Sequence, residues 1–485
     1  MQLLRATVGL AVLLVAAAAV ASPGGARSPD FNRYFVDRTM RVDYYHTGDA
    51  TTELISLDRV VSDGPWAGSL TRLLDDTDLG KYLYEVIDVE TGALIYSRGF
   101  ASIYGEWETT GEAEETTRTF HESVRFPWPK APVRIVLKKR DSQNRFVEFA
   151  TLAVDPAARG VNRADPPAVG TVWTLFEHGP PQQKVDIVLL GDGYTAAELP
   201  AFHADARRLT EALFSYEPYK SRRQDFNVRA IDLAVMESGV TRPHAGKYRR
   251  TILGTQYSIF DSERYVLTYD NRTLRDVLSA APYEAVVILV NEKQYGGGGI
   301  YNAMATAAVG SEFADYLLVH EFGHHFAGLG DEYYTSPVAY ETGAEDLVEP
   351  WEPNVTALHD PTNLKWRDLV TPGTPIPTSW GKAEFEEHAR AMQERRQRLI
   401  AGQAPEEEFD ALFREQREVE LEMLGAVPNA GQVGAFEGAA YEPRGLYRPE
   451  IDCIMFSRNM TRFCRVCQRA IERVIELYAG PATGP

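Results

Sequence analysis

The sequence predicts an α+β multidomain protein: an N-terminal antiparallel β-sandwich followed by an α/β domain with a mixed sheet. Three observations carry that prediction. At 485 residues the chain is longer than one hydrophobic core ordinarily serves. Residues 31–154 run as short alternating segments, rich in β-branched and aromatic residues and parted by polar turns. From residue 171 onward strand-like and helix-like stretches alternate, as in a mixed sheet covered by helices.

Taken in order, residues 1–21 carry Arg5, an apolar run from Ala6 to Val20, and the small residues Ala19 and Ala21 before Ser22. That is the pattern of a cleavable signal peptide, so the expectation is a secreted or periplasmic protein. No later segment is long and apolar enough to predict a membrane span after signal removal. The sandwich strands include Met40 to Tyr45, Tyr82 to Val89, Ala93 to Ser97, Val133 to Leu137 and Phe146 to Ala150. Within this region Glu106 to Glu115 reads as a solvated loop, and His46 and His121 as surface or turn residues. Residues 155–170 are turn-rich without periodicity and read as a linker.

The second domain, residues 171–485, opens with a buried strand at Lys184 to Leu190, a tight turn at Gly191-Asp192-Gly193 and an amphipathic helix from Ala197 to Phe214. Strands follow at Phe226 to Val235 and Ala285 to Val290. The Gly-Asp-Gly turn lacks the remaining glycine and the Lys-Ser/Thr of nucleotide loops, which argues against a nucleotide site. Tyr295 to Asn302 holds four consecutive glycines, either a mobile loop or a backbone bare enough for a substrate strand to approach and pair. Residues 381–424 are highly charged and helical, and read as a solvated hairpin inserted in the domain. The formal charge of −19, from 69 acidic and 50 basic residues, argues against nucleic acid as a partner. Oligomeric state has no signature in the sequence.

The densest chemistry lies between Tyr316 and Tyr333. His320-Glu321-Phe-Gly-His324 on a helix places both imidazoles on one face, one turn apart, within reach of a single zinc ion. Glu321 beside them is placed to accept a proton from a zinc-bound water. A catalytic zinc takes three protein ligands. A straight helix would carry Asp331 about 10 Å beyond His324, too far to share the ion. Gly328 and Gly330 can take the left-handed conformation that ends a helix, turning the chain back. Asp331 is therefore the first candidate for third ligand and Glu332 the second, with Glu384, Glu386 or Glu387 as a downstream alternative. No other cofactor is expected.

Three cysteines occur, Cys453, Cys464 and Cys467. One disulfide and one leftover thiol is the simplest arithmetic for an exported chain; a second metal site would need a fourth ligand from elsewhere.

Several stretches together resemble the secreted zinc metallopeptidases named after the immunoglobulin A peptidases. They are His320 to Tyr333, Val185 to Tyr194, Gly434 to Ala439, Tyr447-Arg448-Pro449, Asp452 to Met455 and Phe463 to Cys467. The resemblance implies a sandwich-like N-terminal domain and a metzincin-like zinc peptidase domain with Met455 in a methionine turn beneath the site. The usual metzincin third ligand would fall on Gly330, one residue before Asp331. The expected function is a zinc endopeptidase acting on protein or peptide substrates, with Tyr447 and Arg448 as candidate oxyanion or substrate contacts. Two other readings remain open: a glycan- or protein-binding protein whose sandwich is the main module, and a cell-wall peptide amidase with the same zinc chemistry.

Overall fold

A computed structural model describes residues 28–335, 347–459 and 461–482, so the predicted signal peptide lies outside the described residues. The architecture is mixed α/β with several sheets. Near the N-terminus two four-stranded sheets face each other. One has the order β5-β1-β2-β8, from β1 (Phe35–Gly48), β2 (Glu53–Ser62), β5 (Arg118–Pro129) and the short β8 (Val161–Asn162). The other is β4-β3-β6-β7, from β3 (Tyr82–Asp88), β4 (Leu94–Phe100), β6 (Val133–Arg140) and β7 (Phe146–Val154), antiparallel throughout. Alternation does the work: Met40, Val42 and Tyr44 point inward against Tyr84, Val86, Ile135 and Leu137.

The second sheet system has six strands in the order β13-β14-β12-β10-β11-β9. Its centre is parallel: β10 (Val185–Asp192) lies between β11 (Phe226–Asp232) and β12 (Ala285–Val290), and β12 also pairs with β14 (Met304–Ala308). The edges β9 (Thr171–Phe176) and β13 (Gly297–Ile300) run antiparallel to their neighbours. Every residue of β10 and β12 is buried, which explains the apolar runs Ile187 to Leu190 and Ala285 to Val290. Ile187 and Leu189 pack under the helices Leu199–Leu213 and Ala314–Ala327, whereas Val188 and Leu190 pack on Asn271–Leu278 and its neighbours. Beyond the sheet come two long helices, Lys382–Ala401 and Glu406–Ala426, a ribbon of β15 (Phe436–Ala439) and β16 (Glu442–Arg448), and a last helix, Arg465–Ala479.

The two sheet systems meet through buried charge. Arg41 binds Asp43 at 2.9 Å and Asp63 at 2.7 Å on its own side, and reaches Asp276 of the helix Asn271–Leu278 at 2.5 Å. Arg125 pairs with Asp63 at 2.8 Å and lies 3.5 Å over the ring of Tyr283. Arg72 donates to the carbonyls of Leu477 and Tyr478, at the end of the last helix.

Some sequence expectations are corrected. Residues 106–115 are not a solvated loop: they form two short helices, Ile103–Trp107 and Gly111–Glu115, with Trp107 fully buried. His46 is no surface residue either. It is buried between Glu122 at 2.9 Å and Glu53 at 2.8 Å, with its ring 3.8 Å from that of Tyr104. Burial favours the neutral imidazole, but the two carboxylates outweigh it and lift His46 to about 9.

Candidate active site

The helix Ala314–Ala327 carries the His-Glu-x-x-His motif and is apolar on nearly every side, so it lies inside the domain instead of on its surface. It ends at Gly328, whose φ of +60° is the left-handed conformation expected of a helix-ending glycine. A side chain there would also strike the ring of Trp351 at 2.7 Å. The chain then turns back, and Asn354 holds the returning loop: its Oδ1 accepts from Gly330 N–H at 2.8 Å, and its Nδ2 donates to Gly330 O and to Glu332 Oε1, both at 2.9 Å.

The turn delivers Asp331 to the two histidines. His320 Nε2 and His324 Nε2 are 3.1 Å apart, and Asp331 Oδ1 is 3.1 Å from the first and 3.2 Å from the second. Donors tetrahedrally arranged around one zinc lie about 3.3 Å from each other. The protonation pattern fits as well. His320 Nδ1 donates to Ile454 O at 3.0 Å and His324 Nδ1 to Leu329 O at 2.5 Å, which leaves both Nε2 atoms as lone pairs. Asp331 Oδ1 is buried without a hydrogen bond, while its Oδ2 accepts from Tyr441 OH. Two lone pairs and a carboxylate oxygen converging in a buried space repel one another unless a cation sits among them. A proton competes with such a cation for His324 Nε2. Burial disfavours the imidazolium, yet Asp331 overrides it and lifts His324 to about 9. Burial likewise acts to raise Asp331, but the histidines hold it well below the carboxylate range.

Glu321 lines the same cleft, a cavity of about 380 Å³. Burial pushes its carboxyl up, with His320 and His324 opposing and Asp331 reinforcing the rise. One wall of the cleft is the edge strand β13. Its glycines are packing requirements, not a mobile loop: a Cβ on Gly299 would lie 2.3 Å from Glu321 O and 2.8 Å from His324 Cβ, and one on Gly297 would lie 3.1 Å from Glu321 Cγ. The facing wall comes from the long helices through Met392, Arg396, Leu412 and Phe413, so this hairpin is a built part of the cleft and not merely a solvated insertion. The N-terminal unit contributes Glu106, which accepts from Tyr265 OH.

The remaining predicted residues lie elsewhere. Glu332 follows Asp331 but turns to the opposite side, towards the cysteines. Glu384 and Glu387 are exposed on the first long helix, and Glu386 is 3.6 Å from Lys382, so none approaches the histidines. Met455 is fully buried under the motif helix, where a Cβ on Gly323 would meet its sulfur at 3.0 Å. Arg448 is also fully buried, donating to Gly438 O at 2.7 Å with its guanidinium 3.8 Å over the ring of Phe456; Tyr447 pairs through its backbone with Thr356. Neither lines the cleft, whereas Tyr333 and Tyr441 do. Tyr441, Asn354 and Ile454 O were missed by sequence reasoning, because no motif or spacing ties them to the histidines.

Residues 173–475 match the profile of the IgA peptidase M64 family, and residues 30–150 match that of the peptidase M64 N-terminus. The class these define is a metallopeptidase, a hydrolase acting on peptide bonds. With the first match spanning more than half its length, the chain belongs to the IgA peptidase M64 family. No curated protein is similar enough to match it.

Proposed function

We propose that the protein is a zinc-dependent endopeptidase in which His320, His324 and Asp331 hold the ion and Glu321 is the general base. The observation that carries this reading is the convergence of two imidazole lone pairs and an unpartnered carboxylate oxygen beside Glu321 in the cleft. An ion held there supplies Lewis acidity, lowering the pKa of a water towards about 7 and polarising the scissile carbonyl. The chain does the rest. A substrate strand lies along β13, where Gly299 opens the cleft wall. Glu321 accepts the proton of the attacking water and delivers it to the leaving amine, a shuttle suited to a carboxyl raised by burial. Tyr333 borders the reacting centre and takes the donor role that the sequence assigned to Tyr447 and Arg448, while Tyr441, which donates to Asp331, steadies that ligand. Met455 serves as the methionine floor of a metzincin-like site, supported by its contact with Gly323. The N-terminal 21 residues support secretion or a periplasmic location.

Glu321→Ala should lower casein cleavage at least about 10²–10⁴-fold while zinc content stays at the wild-type level. Equal activity of the two proteins would remove Glu321 from the mechanism. Cleavage-site profiling on a peptide library, with this variant as control, would separate protein substrates from cell-wall peptides.

A further inference from the structure

We propose that Glu332, Cys453, Cys464 and Cys467 form a second, structural metal site for one zinc-like divalent cation, separate from the catalytic centre. All four side chains are completely buried, and no disulfide joins any of the three cysteines. One donor atom from each lies within 4.8 Å of all the others. Cys453 Sγ and Cys467 Sγ are 3.9 Å apart, against about 3.8 Å for two thiolates on one tetrahedral zinc. Glu332 Oε1 is 3.3 Å from Cys467 Sγ and 3.8 Å from Cys464 Sγ, bracketing the roughly 3.5 Å of an oxygen–sulfur edge.

The surroundings are those of a metal knuckle. Cys464 and Cys467 form a Cys-x-x-Cys at the start of the last helix, and backbone N–H groups point at the sulfurs: Cys464 N at Cys453 Sγ, 3.2 Å, and Cys467 N at Cys464 Sγ, 3.4 Å. Such donors stabilise thiolates and fix their direction. Asn354 does the same for the carboxylate, donating to Oε1 at 2.9 Å, while Oε2 has no hydrogen-bond partner among the described residues. No lysine or arginine forms a direct ion pair with Glu332 among the described residues; the buried Arg448 acts on it only from beyond contact distance, and a buried carboxylate so weakly countered is costly. Three sulfurs and one oxygen in a closed tetrahedral set, with no position left for substrate, select zinc-type structural binding over catalysis. A disulfide between two of the cysteines would leave at most one thiol to donate to Glu332 Oε1, with Oε2 still unmatched among the described residues.

The site's position gives it a purpose. Glu332 adjoins the ligand Asp331, Cys453 adjoins Ile454, whose carbonyl orients His320, and Met455 O accepts from Glu332 N–H at 2.8 Å. One ion would thus pin the returning loop, the methionine turn and the last helix to each other.

The test uses tag-free full-length protein purified without chelator or reductant. Elemental analysis should find two zinc ions per chain in the wild type and one in His324→Ala. Cobalt reconstitution of His324→Ala should give a thiolate-to-cobalt charge-transfer band, and denaturation in chelator should release three titratable thiols. In Cys464→Ser/Cys467→Ser the retained metal should fall by one; because that variant could fail to fold, the wild-type and His324→Ala measurements decide the matter alone. One zinc in the wild type and none in His324→Ala would overturn the second site while leaving the catalytic one intact. A single thiol after denaturation would overturn it in favour of a disulfide. One ion in both proteins, with the cobalt–thiolate band, would support the second site and count instead against the catalytic centre.

Discussion

Asn354 shows what a single side chain contributes to the centre. Its three hydrogen bonds span Gly330 and Glu332 and so bracket Asp331, the proposed third ligand. Asn354→Ala should cost about 2–3 kcal/mol of stability, since it leaves buried backbone and carboxylate groups unmatched. It should also make the proposed catalytic ion easier to strip, measured by chelator competition; unchanged melting and metal retention would show the loop is held by other means. The histidines and Glu321 were legible in the sequence because helical periodicity alone aligns positions four apart. Asp331 was legible through Gly328, whose capping role follows from having no Cβ. Asn354 was not, because it reaches the loop from 24 residues downstream through side-chain bonds that no local pattern encodes.

At the scale of elements, the strand β13 and the motif helix are fitted to each other by absence. Gly299→Ala would put a methyl group against Glu321 O and His324 Cβ and push the strand from the helix. A loss of about 1–3 kcal/mol is expected, with kcat/KM falling at least about tenfold, whereas Gly160→Ala, where a Cβ meets nothing within 4 Å, should change neither. Thermal melts and peptide hydrolysis decide it, and equal behaviour of the two variants would refute the fit. The core strands β10 and β12 could be read from their apolar runs. The strand β14, Met-Ala-Thr-Ala-Ala, could not: alanine has no strand preference, and its place is set by burial beneath the motif helix. The long helices were read as solvated for a similar reason, since charge dominates their composition and the few residues facing the cleft do not form a continuous stripe.

For the whole molecule, the cluster around His46 links both sheets of the N-terminal unit to the cleft. His46 lies on β1, Glu53 on β2 and Glu122 on β5; Lys139 of β6 joins them, 2.6 Å from Glu53 and 2.6 Å from Glu108. Tyr104 stacks on the imidazole two residues before Glu106, which borders the active site. Because the folded pKa of His46 is raised to about 9, its contribution is fully present below about 6.5 and is lost as pH rises through 9. That contribution is on the order of 1–3 kcal/mol. The melting temperature should therefore fall between these pH values by more in the wild type than in His46→Gln; parallel profiles would exclude the cluster as the cause.

The bond from His320 to the carbonyl of Ile454 spans 134 residues. A growing chain therefore exposes the helix that carries His320 and His324 long before the backbone that orients His320 has been made. Competence arrives late in synthesis, with the final turn and helix, so the nascent polypeptide carries the parts of a peptidase without yet being one.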